Sequence, residues 1–143
     1  MTLRLTRLAA AAAAAAFVLA APAFASSDGD AAKGEKLFKK CKSCHMIANG
    51  DQVIFKGGKT GPNLYGVIGR PAGGYDGYKY GKSLVAAGEK GLVWDQETLA
   101  EYVADPKKFL REYLDDKKAK SKMSYKLKKG GEDVAAFLAS VAE

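Results

Sequence analysis

The sequence predicts an all-α domain in which short helices are joined by long loops. In the segment 132–141, four apolar residues have the spacing of one helical face: Val134, Phe137, Leu138 and Val141. The segment 31–42 holds apolar residues at the same kind of spacing. The segment 115–131 has no apolar period and is rich in lysine, which indicates an irregular loop. Because the last helix needs a partner for its apolar face, we expect it to cross the first helix near Gly34.

The stretch Cys41-Lys42-Ser43-Cys44-His45 is the attachment signature of a c-type haem. On a helical turn Cys41, Cys44 and His45 stand at i, i+3 and i+4, so both sulfurs and the imidazole leave from one face. The thiols would form thioethers with the two vinyl groups of one haem, and the neutral imidazole would take one axial position on the iron. His45 is also the only histidine in the chain. The stretch therefore predicts one covalently attached haem c.

Three other uses of a C-x-x-C pair stay open at this point: a thiol redox pair, half of a zinc site, or a short-loop disulfide. Zinc needs about four ligands, and the sequence has no second C-x-x-C and no H-x-x-x-H motif to complete a set. A thioredoxin-like pair would be expected near a βαβ pattern, and the sequence shows none. These observations favour haem attachment.

The first 25 residues have the features of a secretory signal peptide. Two arginines are followed by an unbroken apolar run, and Ala23-Phe24-Ala25 is an A-x-A cleavage site. The run is shorter than the ~20 residues that span a bilayer, and no other stretch could span. We therefore expect cleavage before Ser26 and a single domain over residues 26–143. Export agrees with haem attachment, which takes place outside the cytoplasm.

The first half of the predicted domain consists of a helix, a loop and a second, short helix. Asp30 is available as the N-cap of a helix from Ala31 to about Lys42. Residues 47–60 contain glycine-rich turn signals and are predicted as a loop. Residues 83–87 are predicted as a short helix that ends at the next glycine.

The second half contains three predicted helices. Asp95 is a suitable N-cap for a helix with one apolar face. Asp105 followed by Pro106 combines a cap with a proline at the first helical position, which predicts a helix to about Leu114. The irregular lysine-rich segment and the helix 132–141 complete the chain.

Elimination predicts the second ligand of the haem iron. The chain has three methionines. Met1 leaves with the signal peptide, and Met46 directly follows His45 and is tied to that side of the haem. Met123 is left, in an otherwise basic loop. A lone methionine is more often a gap-filler in a core, but a haem with one identified ligand makes Met123 the predicted sixth ligand.

Positive charge is concentrated in one part of the chain. Without the first 25 residues the formal net charge is +5, and the segment 107–129 alone carries +7. Such segregation predicts a molecule with one basic face. In an exported protein this basic face indicates docking to an acidic protein surface. A location outside the cytoplasm argues against nucleic acid as the partner.

Further motifs accompany the stretch 41–45 in a fixed order along the chain. They are Gly34 with Phe38, Thr60-Gly61-Pro62-Asn63-Leu64, Gly69-Arg70, Trp94 with Leu99 and Tyr102, Asp105-Pro106-Lys107-Lys108, Lys122-Met123, and the last helix around Val134 and Phe137. In these motifs the chain resembles the class I c-type cytochromes, and most of all the bacterial cytochromes c2. The resemblance implies a small cytochrome c fold, with helices and loops wrapped round one covalently attached haem and the terminal helices crossing.

The resemblance also implies roles for individual residues around the haem. Pro62 would offer its carbonyl oxygen to the ring N–H of His45, which fixes the tautomer of the ligand. Arg70, Tyr80 and Trp94 match positions that hold a haem propionate in this family. Tyr102 matches the tyrosine that lies near the methionine sulfur.

The implied function is that of a soluble, periplasmic one-electron carrier, not an enzyme. Its partners by resemblance would be a cytochrome bc1-type complex as donor, and a terminal oxidase, another reductase or a photosynthetic reaction centre as acceptor. We expect a monomer, because a carrier must dissociate quickly. Lysines near the exposed haem edge are expected to steer these encounters: Lys42, Lys107, Lys108, Lys120, Lys122, Lys126 and Lys128.

An alternative of a different class is a haem enzyme or gas sensor, in which Met123 is absent from the iron and the sixth position is open. Peroxidase chemistry would require distal polar groups, and the chain has no second histidine to serve. A thiol oxidoreductase without haem is a further alternative.

Overall fold

The computed structural model of the chain describes residues 29–143, so the predicted signal peptide and the cleavage site before Ser26 lie outside the described residues. Within this range the chain forms five helices and two short strands. They are α1 (Ala31–Phe38), β1 (Ile47–Asn49), β2 (Gln52–Phe55), α2 (Lys82–Glu89), α3 (Gln96–Ala104), α4 (Pro106–Leu114) and α5 (Gly131–Ser140). The mainly helical class is thereby confirmed.

Helices α1 and α5 cross, as the sequence predicts, and the structure shows that they do so at very close range. Gly34 is buried in the crossing, and a Cβ at this position would overlap the carbonyl oxygen of Asp133 and lie 2.8 Å from the Cβ of Phe137. The backbone N–H of Asp30 donates to a carboxylate oxygen of Asp133 at 2.8 Å. The absence of a side chain at position 34 therefore sets the distance between the first and last helices.

Side-chain caps begin three of the helices where the sequence places them. The Asp30 carboxylate accepts from the backbone N–H groups of α1, and Asp95 and Thr98 form a reciprocal capping box at the start of α3. Asp105 accepts from the N–H of Lys108 at 3.1 Å, with Pro106 in the first turn of α4. The predicted bounds of α4 are confirmed. Helix α1 is shorter than predicted, since it ends at Phe38 and not at about Lys42. The chain after Phe38 forms turns.

The loop predicted for residues 47–60 was wrong for seven residues, which form an antiparallel hairpin. Strand β1 pairs with β2 through a turn in which Gly50 has a φ of 57°. The hairpin is held on the domain by Phe55, whose ring centroid lies 4.9 Å from that of Phe38. Val53 and Ile54 are adjacent in β2 and both exposed, so this strand shows none of the apolar alternation that predicts a strand.

The core is entirely apolar among the described residues, since no polar or charged side chain is fully buried. Its largest buried side chains come from several elements: Phe38, Ile47, Leu110, Leu138 and Pro106. Within residues 29–143 no helix is long and apolar enough to cross a membrane.

We predict that Gly34→Ala destabilises the haem-loaded protein by about 1–3 kcal/mol, the usual cost of forcing extra volume into a packed contact. The added methyl group would meet backbone, which cannot move aside as a flexible side chain can. Urea unfolding measures the difference. Glu35→Ala on the exposed side of α1 is the control and should stay within about 0.5 kcal/mol of the wild type. Wild-type stability of Gly34→Ala would contradict the close crossing.

Candidate haem-binding site

A cavity of about 420 Å³ lies between the helices and the loops. Its walls are mostly apolar and come from α1, α2, α3, α5 and the irregular segments. The apolar lining residues include Phe38, Leu64, Val67, Leu84, Trp94, Leu99, Val103, Val134 and Leu138. The volume is within the range of pockets that hold small-molecule cofactors.

One helical turn presents Cys41, Cys44 and His45 to this cavity. The N–H of Cys44 donates to the carbonyl oxygen of Cys41 at 3.1 Å, and the N–H of His45 donates to the same oxygen at 2.9 Å. Two glycines of the following loop stabilise the turn by backbone hydrogen bonds. Gly58 N–H donates to Lys42 O and Gly61 N–H donates to Cys44 O, both at 2.8 Å. The predicted attachment stretch therefore has the turn geometry that the sequence indicates.

The thiol and zinc alternatives receive no support from this turn. Residues 29–143 contain no group of three or more His, Cys, Asp and Glu side chains that could hold a metal ion. Burial, with a contribution from Cys44, raises the pKa of the Cys41 thiol to about 11. Thiol exchange requires a thiolate, so a raised pKa argues against a redox-active pair.

The His45 ring is oriented by the loop that follows the hairpin. Its Nδ1 lies 2.8 Å from the carbonyl oxygen of Pro62, which assigns the proton to Nδ1 and leaves Nε2 free to bind a metal. Burial lowers the pKa of His45, while the bond to Pro62 acts in the opposite direction. Glycine at position 61 lets the loop approach the ring closely, since a Cβ there would lie 2.7 Å and 2.8 Å from the two ring nitrogens.

The other predicted haem contacts also line the cavity: Arg70, Tyr80, Trp94, Tyr102 and Met123. The Arg70 guanidinium donates to the carbonyl oxygens of Asn63, at 3.0 Å, and of Tyr65. The rings of Trp94 and Tyr102 pack with their centroids 4.9 Å apart. The Tyr102 hydroxyl lies 3.4 Å from the hydroxyl of Ser121, two residues before Met123.

The seven predicted docking lysines are all exposed but differ in their surroundings. Lys120 and Lys122 line the cavity. Lys108 and Lys126 form ion pairs, with Glu112 at 3.7 Å and with Asp105 at 2.7 Å. The side chains of Lys42, Lys107 and Lys128 make no hydrogen bond or ion pair within the described part of the chain.

The sequence did not assign Lys40 or Ser124 to the site, whereas it does place Tyr78 in a group of tyrosines suited to the edge of a cofactor, and all three residues line the cavity. Lys40 stands with Lys120 and Lys122 in the lining, and Ser124 follows Met123. Tyr78 donates from its hydroxyl to the carbonyl oxygen of Thr60 at 2.7 Å and packs against Tyr80. The signal for Tyr78 is the cluster of tyrosines among glycines between residues 72 and 82, since tyrosine suits the edge of a buried cofactor.

These residues fit a covalently bound haem. Cysteine thiols can form the thioethers, a neutral imidazole can bind the iron, and apolar walls can pack against the macrocycle. The glycine at position 61 leaves room for the ring of His45 in the orientation that metal binding requires. Fold and site together define a c-type haem protein.

Comparison with known proteins gives the family. The family model described as Cytochrome c matches residues 31–142. Cytochrome c2 of Rhodobacter capsulatus is 63% identical over 130 residues, covering 90% of this chain and 93% of that protein. Cytochrome c-551 of Roseobacter denitrificans is 63% identical over 125 residues, with coverages of 86% and 87%. The chain therefore belongs to the cytochrome c family, as a class I c-type cytochrome related to cytochrome c2.

A solved structure supports the same assignment. The structure of cytochrome c2 from Rhodobacter capsulatus matches with a TM-score of 0.78 and 62% identity, covering 80% of this chain and 100% of that one. Proteins of the family carry one covalently attached haem c and transfer electrons without catalysing a reaction of their own. The chain is accordingly an electron carrier with one haem c and not an enzyme.

We predict that Gly61→Ala weakens the site around His45. The new methyl group would lie where the imidazole packs, so the ring or the loop must shift, and we expect a loss of about 1–3 kcal/mol in the unfolding of the haem-loaded protein. The Soret band should also change at lower urea than in the wild type. Lys59→Ala, at an exposed position in the same loop, is the control. Equal behaviour of the two variants would contradict the described packing.

Proposed function

We propose that Cys41 and Cys44 attach the haem covalently and that His45 and Met123 are the two axial ligands of its iron. Haem bound in this way supplies one-electron chemistry, because its iron alternates between the ferrous and ferric states. The observation that carries the proposal is that all four side chains line the same cavity although Met123 is far from the others in sequence.

His45 is suited to the ligand role by its hydrogen bond. Donation from Nδ1 to the Pro62 carbonyl oxygen at 2.8 Å fixes the tautomer and increases the basicity of Nε2. Burial keeps the ring neutral by lowering its pKa, and a neutral ring is the form that binds a metal.

Met123 is suited to the second ligand role by its place in the cavity wall and by its partial burial against the core. A histidine and methionine pair leaves no iron position for a substrate, so electrons would pass through the exposed edge of the haem. Compared with two histidines, a methionine ligand raises the reduction potential.

We further propose that the carrier works in the periplasm. The predicted signal peptide over residues 1–25 supports export. Its donor would be a cytochrome bc1-type complex, and its acceptor an oxidase, another reductase or a photosynthetic reaction centre, in line with its relationship to cytochromes c2. Exposed lysines of the cavity lining would meet acidic surfaces of these complexes, namely Lys40, Lys120 and Lys122, together with Lys42 in the attachment turn.

We predict that Met123→Ala removes the weak red absorption band that reports a methionine sulfur on ferric haem. The ferrous variant should then bind carbon monoxide rapidly, because the sixth position is open. Met46→Ala is the matched control, since Met46 is the other methionine of the described chain and does not line the cavity. This control should keep the band.

A spectrum without the red band would favour the alternative class, a haem enzyme or gas sensor. A wild-type ferric protein with high-spin iron and no red band would show an open sixth position, and peroxide turnover or gas binding would then be the function to test. A red band that persists in Met123→Ala would assign the ligand to another side chain.

We predict that electron exchange with a purified cytochrome bc1 complex slows as ionic strength rises, since steering is screened over about 10 Å at 0.1 M salt. At low salt, Lys120→Gln should reduce the second-order rate constant by a factor of about 2 to 3. Lys36→Gln removes the same charge from an exposed position on α1 that does not line the cavity, and should have a smaller effect. Rates that are flat from low to high salt would overturn the docking proposal.

A further inference from the structure

The segment that carries Met123 has few backbone contacts of its own. We define the Met123 segment as residues 120–127, none of which belongs to a helix or strand. Its first N–H, of Lys120, donates to the Ser83 hydroxyl at 3.0 Å, and its last, of Leu127, donates to the Val103 carbonyl at 2.7 Å. Between these two ends, residues 121–126 donate no backbone-to-backbone hydrogen bond within the described chain.

Side chains therefore provide the hydrogen bonds that fix the middle of the Met123 segment. The Ser121 hydroxyl lies 3.4 Å from that of Tyr102, and Lys122 Nζ donates to the Lys79 carbonyl oxygen at 2.7 Å. On the other side of Met123, Lys126 Nζ lies 2.7 Å from Oδ2 of Asp105. This ion pair is the only such side-chain contact on that side within residues 29–143.

Asp105 offers a rigid anchor for this contact. It stands at the corner between α3 and α4 and uses its two oxygens separately: Oδ1 accepts from the N–H of Lys108, and Oδ2 accepts from Lys126. The bond from Lys126, followed by that from Lys108, holds the pKa of Asp105 below its usual value.

We propose that the ion pair between Lys126 and Asp105 is a positioning contact, which holds the Met123 segment against the corner of α3 and α4 and so limits displacement of Met123 by outside ligands. This inference rests on the proposed role of Met123 as iron ligand. It also separates Lys126 from the docking lysines, because its charge is already paired within the molecule.

The size of the effect follows from the exposure of the pair. The two side chains are 48% and 32% exposed, so the pair is partly screened by solvent. Chain geometry increases its influence on Met123: only two residues separate Met123 from Lys126, a span of about 10 Å at most. Loss of this contact leaves the bond from Leu127 to Val103 as the next anchor, so residues 124–126 gain freedom to move while α3 and α4 stay folded.

The test is a titration of the ferric haem-loaded protein with imidazole, which binds the iron only when Met123 leaves. Lys126→Gln and Asp105→Asn should each tighten imidazole binding by a factor of about 2 to 5, the range expected for a pair of this exposure. Asparagine is also a good N-cap, so the start of α4 is kept in Asp105→Asn. The double variant Lys126→Gln with Asp105→Asn should bind imidazole no more tightly than either single variant, because all three lack the same ion pair.

Matched controls come from the ion pair at the start of α1, where the capping carboxylate is also paired with a lysine. Lys33→Gln and Asp30→Asn make the same charge changes at residues that neither line the cavity nor belong to the Met123 segment, and they should leave imidazole binding unchanged. Salt provides a second readout: wild-type affinity should rise toward that of Lys126→Gln at high ionic strength. Amide hydrogen exchange of residues 121–126 should also be faster in Lys126→Gln and in Asp105→Asn than in the wild type.

Each result decides between the proposals. Wild-type affinity in Lys126→Gln, or additive effects in the double variant, would overturn the positioning role. Tighter binding in Lys126→Gln but not in Asp105→Asn would assign the effect to another contact of the lysine and would also overturn it. If Met123→Ala itself fails to tighten imidazole binding, the ligand assignment fails, and with it the basis of this inference.

Discussion

The fold of this chain depends on the filling of one apolar cavity. The walls of this cavity, about 420 Å³ in volume, are mostly apolar, so an apolar group that fills it removes apolar surface from water. A group that binds only the folded chain stabilises the fold, and we therefore expect folding and haem binding to be coupled. The helices are short, and their apolar faces line this cavity as well as pack against each other.

Two kinds of contact organise the chain around that cavity. Close backbone approach at glycines sets the positions of the walls, at Gly34 between the terminal helices and at Gly61 beside the His45 ring. Carboxylate caps set the directions of the helices, above all at Asp105, where α3 ends and α4 begins. The irregular segment with Met123 is attached to this frame by a backbone N–H group at each end and by side-chain hydrogen bonds between them.

Much of this arrangement could be predicted from the sequence because its signals are local. The spacing in the stretch 41–45 predicts a single turn with three groups on one face, and Asp105 with Pro106 predicts the start of α4. The hairpin could not be predicted, since its strands are three and four residues long and adjacent Val53 and Ile54 are both exposed. The pair of Lys126 with Asp105 is also invisible in the sequence, because it joins residues 21 apart.

The central claim is that His45 and Met123 bind the same iron. Iron K-edge X-ray absorption of the oxidised, haem-loaded protein tests it most directly, because sulfur and nitrogen scatter differently at their different distances from the metal. We predict a first shell with one sulfur and otherwise nitrogen, and loss of the sulfur in Met123→Ala. A wild-type shell with no sulfur, or with a sulfur that survives this substitution, would contradict it.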